Sequence, residues 1–508
     1  MIVIKAHSNY SHDFFKYASR FTLESILTAI SNIAFEMFNN KNKLGKIGKV
    51  EKYSIRIGNK KIENQVTIVQ TWLVDMFYDI ISNCKYGTFP INKNETLYLI
   101  HLYSDYSNKI DKKIIEENKK DNLKINSSLL YVFGMAGEQR RFQDLNLAKN
   151  EFSRERYILE VISKTPHPKN SFNIDIQKVF YSITGYSIDD YSFLVFFIVL
   201  CFISFNGVLS DSQIPNELSF RNFIISKQDV IHIVDEFTTT TNELSASDLN
   251  RQYLYSKPIV KYNNKYIASN PHLLFLGFSN IVYWKIRNYY YSQHSQEFLN
   301  AFGKYFEIYV EEVLKTCLSL NQFKNIKESN KSKRADWHIT IDGLNILVEQ
   351  KSAISMLSIK QNHPDVELLK KHIKKNWGEA VRQLQETEIE LNIDNPIKMI
   401  LLYEDYYSDF CLDELFILDE SLKNDNRYLL ITINEFEKLF MLYKTKPDVF
   451  LFILNNRMEN AKKDKYKSKS IEQLLNDKGI YKNDYLESKG ILDFFDSIQD
   501  ELENYINN

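Results

Sequence analysis

The sequence predicts an α/β core, a mixed central sheet flanked by helices, preceded by a mainly α-helical N-terminal region. Three observations carry that expectation. Residues 337–350 form two β-favouring runs about Asp342-Gly343, a dipeptide that accepts the positive φ of a tight hairpin turn. Apolar residues before and after this hairpin recur at the three-to-four interval of helices. Two short apolar runs follow, at 397–403 and 427–433, and their length suits buried strands. The expected organisation is a helical region over 1–250 and an α/β domain over 251–508, with its core at about 300–445 and a helical C-terminal extension.

In chain order, Phe21 to Phe38 and Glu63 to Cys84 have helical length and spacing, and Tyr53 to Ile57 reads as a strand ending at Gly58-Asn59. Ser107 to Lys124 is polar and lysine-rich, a loop or an exposed helix. Gly134 to Arg141 lacks the Gly-Lys-Ser/Thr ending of a phosphate-cradling loop, and the chain carries no ATPase signature. Tyr191 to Leu209 approaches the length of a membrane span. Ser204, Asn206 and Gly207 dilute its end, and Asp189, Asp190 and Asp211 flank it, so a buried central helix is expected. The polar run from Thr238 to Asn250 is the expected domain boundary. Pro258 to Tyr262 and Lys265 to Ala268 then make a second hairpin about Asn263-Asn264, and a helix runs from Leu273 to Tyr290.

Within the core, Phe302, Phe306, Val310 and Val313 form one helical stripe ahead of the hairpin. Val366 to Glu388 reads as a long amphipathic helix that buries Leu368, Ile373, Trp377, Val381 and Leu384. Asn395-Pro396 punctuates the chain before the first apolar strand, and Asn434 is the expected cap of the helix after the second.

Alternation along a strand puts Glu349 and Lys351 on one face, and Asp336 begins the opposite strand at the open end of the hairpin. Two carboxylates and a lysine at one end of an apolar hairpin are costly to hold together unless something uses them. A hard divalent cation is the usual user, because it takes one or two carboxylates together with water and phosphate oxygens. The pattern of Asp, hairpin and Glu-x-Lys resembles the active-site core of the PD-(D/E)XK nuclease superfamily, over about residues 300–445. The resemblance implies a restriction-endonuclease-like fold, with Asp336 and Glu349 as ligands of Mg²⁺ or Mn²⁺ and the carbonyl of Gln350 as a further ligand. It also implies Lys351 as the catalytic lysine. Gly303 to Glu307 looks like the helix that supplies one more acidic residue in that family, which gives Glu307 a catalytic place; its alternative is a solvated helix glutamate. The family's proline is absent, since Ala335 precedes the aspartate. The implied activity is metal-dependent endonucleolytic hydrolysis of nucleic acid, DNA by family habit, with anti-phage defence or restriction as the biology by analogy.

With 64 basic against 65 acidic residues and a net charge of −1, the chain does not advertise nucleic acid as a whole. An electrostatic footprint need only be local. Lys331, Lys333 and Arg334 precede the hairpin, beyond Lys324 and Lys327, and Lys370, Lys371, Lys374 and Lys375 lie on the helix after it. A third set, Lys462 to Lys469, has no site beside it and reads as a solvated face. The four cysteines are far apart and form neither a zinc pattern nor a disulfide framework. That usage fits a reducing cytoplasm, and the first residues lack the plan of a signal peptide.

Three alternatives stand beside the nuclease. The trio could be an inert strand edge in which Glu349 pairs with Lys351. The fold could be a silent nuclease that only binds nucleic acid or acts as a scaffold. Arg287 and His294 match the loose Arg-then-His spacing of HEPN ribonucleases, which cut RNA without metal, although such spacing also arises by chance. No membrane partner is expected, and an oligomeric contact or a protein partner through the N-terminal region stays open.

Overall fold

The computed structural model describes residues 12–39, 48–120, 145–168, 172, 174–220, 223–246, 252–327, 333–354, 366–404, 412, 415–416, 419, 421–463 and 469–507. It is a mixed α/β structure rich in helix, with mixed sheets flanked by helices. The chain forms two compact units, each discontinuous in sequence. The first is built from the described residues of Met1–Asp121, Glu138–Leu145 and Asp189–Ser279, the second from those of Asn122–Gly137, Asn146–Ile188 and Asn280–Asn508.

In the first unit, the helix Leu23–Asn39 is followed by an antiparallel ribbon of β1 (Gly48–Ile57) and β2 (Lys60–Val69), turning at Gly58 with φ 59°. The helix expected from Glu63 to Cys84 therefore begins only at Gln70 and runs to Asn83. Val66 and Ile68 are buried while Gln65 and Thr67 are exposed, a period of two, and pairing with β1 overrides the local helical spacing. The lysine-rich stretch from Ser107 continues the helix Lys93–Lys120. Ile188–Ser204 is the apolar helix expected at this point, with Tyr191, Phe193, Leu194, Phe196, Val199 and Phe202 all buried. Among the described residues no single helix is long and apolar enough to cross a membrane.

The chain continues through β3 (Val208–Ser210), β4 (Glu217–Phe220), β5 (Phe223–Ser226) and β6 (Thr238–Thr240). The second expected hairpin is present as β7 (Ile259–Tyr262) and β8 (Lys265–Ala268), and a four-stranded sheet runs in the order β3-β8-β7-β6. The polar run expected as the domain boundary holds β6 and the helix Thr241–Ala246 where it is described. Thr238 and Thr239 are buried in β6, and their hydroxyls bond to Val234 O at 2.7 Å and Glu243 Oε2 at 3.0 Å. β-branched residues suit a strand once their hydroxyls are satisfied. The helix expected from Leu273 to Tyr290 is two, Pro271–Ser279 and Ile281–Ser292, because Asn280 leaves helical geometry with φ −126° and ψ 32°.

The second unit holds a five-stranded sheet in the order β13-β12-β11-β10-β9. β9 (Phe323–Asn325), β10 (Trp337–Ile341) and β11 (Leu344–Lys351) form an antiparallel meander, and β12 (Ile397–Leu402) and β13 (Tyr428–Thr432) continue parallel to β11. The helix Glu297–Cys317 precedes the meander. Between β11 and β12 runs the amphipathic helix, α-helical over Val366–His372 and Gly378–Glu390 with a π turn at Ile373–Trp377. Its Leu369, Ile373, Trp377, Val381 and Leu384 pack against Leu347, Ile400, Leu402 and Leu430 on one sheet face. The parallel pairing of β11 with β12 requires such a crossover, and the crossover helix covers the face it leaves apolar.

The helix Ile433–Thr445 is capped by Thr432, not by Asn434. Thr432, the last residue of β13, and Glu435 form a reciprocal capping box, so the cap lies two residues earlier than expected. Asn434 is instead fully buried and accepts from Asn150 Nδ2 at 3.0 Å and Asn483 Nδ2 at 2.9 Å. Beside it, Arg154 donates twice to Glu437, at 2.6 Å each, with both side chains out of solvent.

Candidate metal centre at the open end of the hairpin

The register of the hairpin assembles the site. Trp337 pairs with Val348 and Ile341 with Leu344, so Asp336 falls directly across from Glu349. Directly opposed residues share a face, and Lys351 is two residues further along it. Asp342 and Gly343 supply the positive φ values, 47° and 81°, that the two-residue turn demands. The turn thus fixes a pairing that puts all three side chains at the end of the sheet farthest from it.

Asp336 is anchored from both sides. Its backbone N–H donates to Val348 O at 3.0 Å, and its Oδ2 accepts the backbone N–H of Gln350 at 2.9 Å. The carboxylate thus replaces the next rung of the ladder. Ahead of it, the buried Ala335 donates its N–H to Thr387 Oγ1 at 2.8 Å, tying the strand entrance to the crossover helix. Glu349 is 3 % exposed. Its Oε1 accepts from Lys351 Nζ at 2.7 Å, while its Oε2, also buried, finds no hydrogen-bond donor. Lys351 Nζ donates in addition to Gln383 Oε1 at 3.0 Å.

Electrostatics follow from this crowding. Asp336 keeps some surface open to solvent, yet the protein surrounds it closely. Burial, opposed by the Gln350 N–H and reinforced by Glu307, pushes its carboxyl up to about 6. Burial raises Glu349 well above the usual carboxylate range, with the Asp336 charge as the next cause and Lys351 acting against it. Of the two carboxyls Glu349 is raised the further, so it is the one that keeps its proton. Two carboxylates this close cannot both ionise comfortably without a cation.

Among the described residues no group of three or more His, Cys, Asp or Glu side chains is arranged to hold a metal ion. The set here is two carboxylates beside a strand backbone that carries the carbonyl of Gln350. Mg²⁺ is commonly held by one or two carboxylates with the rest of its shell from water and phosphate, so this donor set fits. The orphaned Glu349 Oε2 is the observation that favours it. Glu307, buried on the helix Glu297–Cys317, lies close enough to raise Asp336. Its carboxylate also meets Lys304 Nζ at 3.2 Å and Asn325 Nδ2 at 3.4 Å. It is therefore not the solvated glutamate of the alternative.

The expected phosphate-binding residues divide. Lys333, Lys371 and Lys374 are exposed. Arg334 donates to Glu390 at 2.6 Å, and Lys370 is buried against Glu367 at 2.7 Å, so neither stands free for phosphate. Lys331 lies outside the described residues, as do Lys465 and Lys467. A groove of about 540 Å³ adjoins the site, lined by Lys333, Arg382, Gln383 and Ile389 with Glu379, Glu386 and Glu390. Arg287 of the rival motif lies 4.8 Å over the Trp284 ring, and His294 sits past the helix end at φ 55°.

Gln383 and Thr387 were not singled out from sequence, although both touch the site. They are four apart on the crossover helix, hence on one face. A polar pair flanking Leu384 on the stripe that faces the sheet was the available signal. Asn325, which donates to both Glu307 Oε1 and Asp336 O, left none, since β9 has only three residues. No protein-family model matches this sequence, and no curated protein or solved structure matches the chain.

Proposed function

We propose that Asp336, Glu349 and Lys351 form the centre of a metal-dependent nuclease of the PD-(D/E)XK type, acting on phosphodiester bonds of DNA. The observation that carries this reading is the buried carboxyl pair Asp336–Glu349, with Lys351 on the same face and one Glu349 oxygen left without a donor. The element order supports it as well. Helix, three-stranded antiparallel meander, crossover helix and parallel strands is the plan that a restriction-endonuclease-like core would need. A role in restriction or anti-phage defence is part of the same proposal.

In this reading Asp336, Glu349 and the Gln350 carbonyl hold Mg²⁺ or Mn²⁺. The bound ion supplies charge neutralisation on the phosphate oxygens and a more acidic attacking water. Glu349, the carboxyl raised the further, would have to give up its proton for both side chains to serve as ligands. Lys351 keeps an ammonium within reach of the phosphate, orients the attacking water and stabilises charge developing in the transition state. Gln383 holds that ammonium from the far side and so limits its rotamers. Glu307 keeps the entrance acidic beside Asp336.

The test is cleavage of supercoiled plasmid, linear duplex, single-stranded DNA and RNA with Mg²⁺ or Mn²⁺ and with EDTA. Cutting is expected with metal only, and Asp336→Ala and Lys351→Ala should each lower it by at least about 100-fold. Equal cutting by the Lys351→Ala protein would sink the assignment. Cutting that survives EDTA would transfer attention to Arg287 and His294.

A further inference from the structure

We propose that the β1–β2 ribbon of the first unit docks into the major groove of duplex DNA, an inference that rests on the nucleic-acid chemistry proposed above. The ribbon is paired only with itself. One face is anchored, with Tyr53, Ile55, Val66 and Ile68 buried. The other face is open: Lys52 pairs with Gln65, Ser54 with Glu63 and Arg56 with Lys61, and all six are exposed. From Arg56 through Lys61, across the turn, every residue is exposed.

Charge identifies the partner. Over residues 48–69 there are five cations, Lys49, Lys52, Arg56, Lys60 and Lys61, against the carboxylates Glu51 and Glu63, in a chain whose net charge is −1. Both carboxylates are already taken, by Lys49 and Lys61. Lys52, Arg56 and Lys60 have no carboxylate partner among the described residues. Such an excess at an exposed tip calls for a polyanion. The tip carries one apolar side chain, Ile57, which is too little for anchoring in a bilayer. Ser54, Gln65 and Thr67 on the open face offer donors and acceptors suited to base edges.

Shape narrows the polyanion to B-form DNA. A two-stranded ribbon fits the major groove of B-DNA, about 12 Å wide. The deep, narrow major groove of an A-form RNA duplex does not admit it. In this arrangement Lys52 and Arg56 on the open face, and Lys60 at the exposed tip, meet phosphates along the groove, while Ser54, Gln65 and Thr67 meet the bases.

The test uses the full chain carrying Asp336→Ala, so that bound DNA survives, and reads fluorescence anisotropy of labelled duplex DNA and duplex RNA across a salt series. Lys52→Ser, Arg56→Ser and Lys60→Ser are combined in one variant. A control removes three exposed lysines elsewhere, Lys178, Lys446 and Lys482. None of the three ribbon side chains is packed, so melting temperature should be unchanged, and it is checked. The ribbon variant is expected to lose at least about tenfold in duplex DNA affinity. Its salt slope should fall by roughly 0.9 for each phosphate contact removed. The control should lose less than about twofold. Equal losses in ribbon and control variants, or equal ribbon-dependent binding of duplex RNA, would overturn the docking. Parental binding that the ribbon substitutions leave intact would overturn the ribbon alone. No binding by the Asp336→Ala chain, together with no cutting by the unsubstituted protein, would remove the proposed function and this inference together.

Discussion

At the scale of single residues, the chemistry depends on a proton. Asp336 rises from its ordinary 3.8 to about 6, so between those values the folded protein holds a proton that the unfolded chain has released. Stability is therefore gained at the acid end of that window and lost as pH rises through it, the reverse of an ordinary salt-bridged aspartate. Glu349, raised further in the same direction, extends the loss upward. Glu349→Gln should accordingly raise the melting temperature of the metal-free protein at pH 7.5 and flatten its pH dependence. A melt in which Glu349→Gln is less stable than the parent at that pH would contradict the carboxyl pair. Gln383→Ala separates positioning from binding. It should leave stabilisation by Mn²⁺ intact while lowering turnover, because Lys351 loses its second anchor; unchanged turnover would make that contact incidental.

At the scale of elements, the second unit is tied together by polar groups as well as by its apolar core. Arg154, on the helix Leu145–Glu160, is paired inside the protein with Glu437 of the helix Ile433–Thr445. Tyr309 and Asn483 also donate to Glu437, the latter at 2.6 Å. Removing one partner of a buried pair strands the other charge. Arg154→Met should therefore cost about 3–5 kcal/mol in chemical denaturation, and adding Glu437→Leu should recover part of it. A loss below about 1 kcal/mol would mean the pair is solvated in solution.

The elements also show what a sequence can disclose. The hairpin at Asp342-Gly343 was legible because turn residues and alternation agree, and its register placed Asp336 opposite Glu349 without any long-range information. The crossover helix was legible from its stripe, four of whose members, Ile373, Trp377, Val381 and Leu384, are fully buried. Glu63 to Cys84 misled because strand and helix share one apolar run, and only pairing with β1 separates them. Asn434 misled because a neighbouring threonine with Glu three residues on makes the better cap. The contacts of Gln383 and Asn325 depend on which face meets which neighbour, which local spacing does not state.

At the scale of the whole molecule, a near-neutral chain distributes its charge unevenly. Carboxyls are concentrated where a cation would neutralise them, and unpaired cations stand on an exposed ribbon in the other unit. That division is what the proposed nuclease would need with its DNA-binding surface and its metal centre on different elements. It also explains why net charge was uninformative, since acidic and basic sites cancel in the sum. The first unit was the less legible of the two: its short strands β3 to β6, the longest of only four residues, leave little periodicity to read. The long apolar helix Ile188–Ser204 was recognisable, by contrast, because its composition leaves few alternatives.

The measurement that bears most directly on the metal centre is calorimetric titration of the full chain with Mn²⁺ at pH 7.5 in two buffers of different ionisation enthalpy. A ligand pair made of Asp336 and Glu349 predicts saturable binding with net proton release, because Glu349, raised well above the usual carboxylate range, must ionise to accept the ion. Binding and proton release should both vanish in Asp336→Ala and Glu349→Ala. Saturable heat that persists unchanged in both variants, or binding with no proton released, would contradict the site and with it the proposed nuclease.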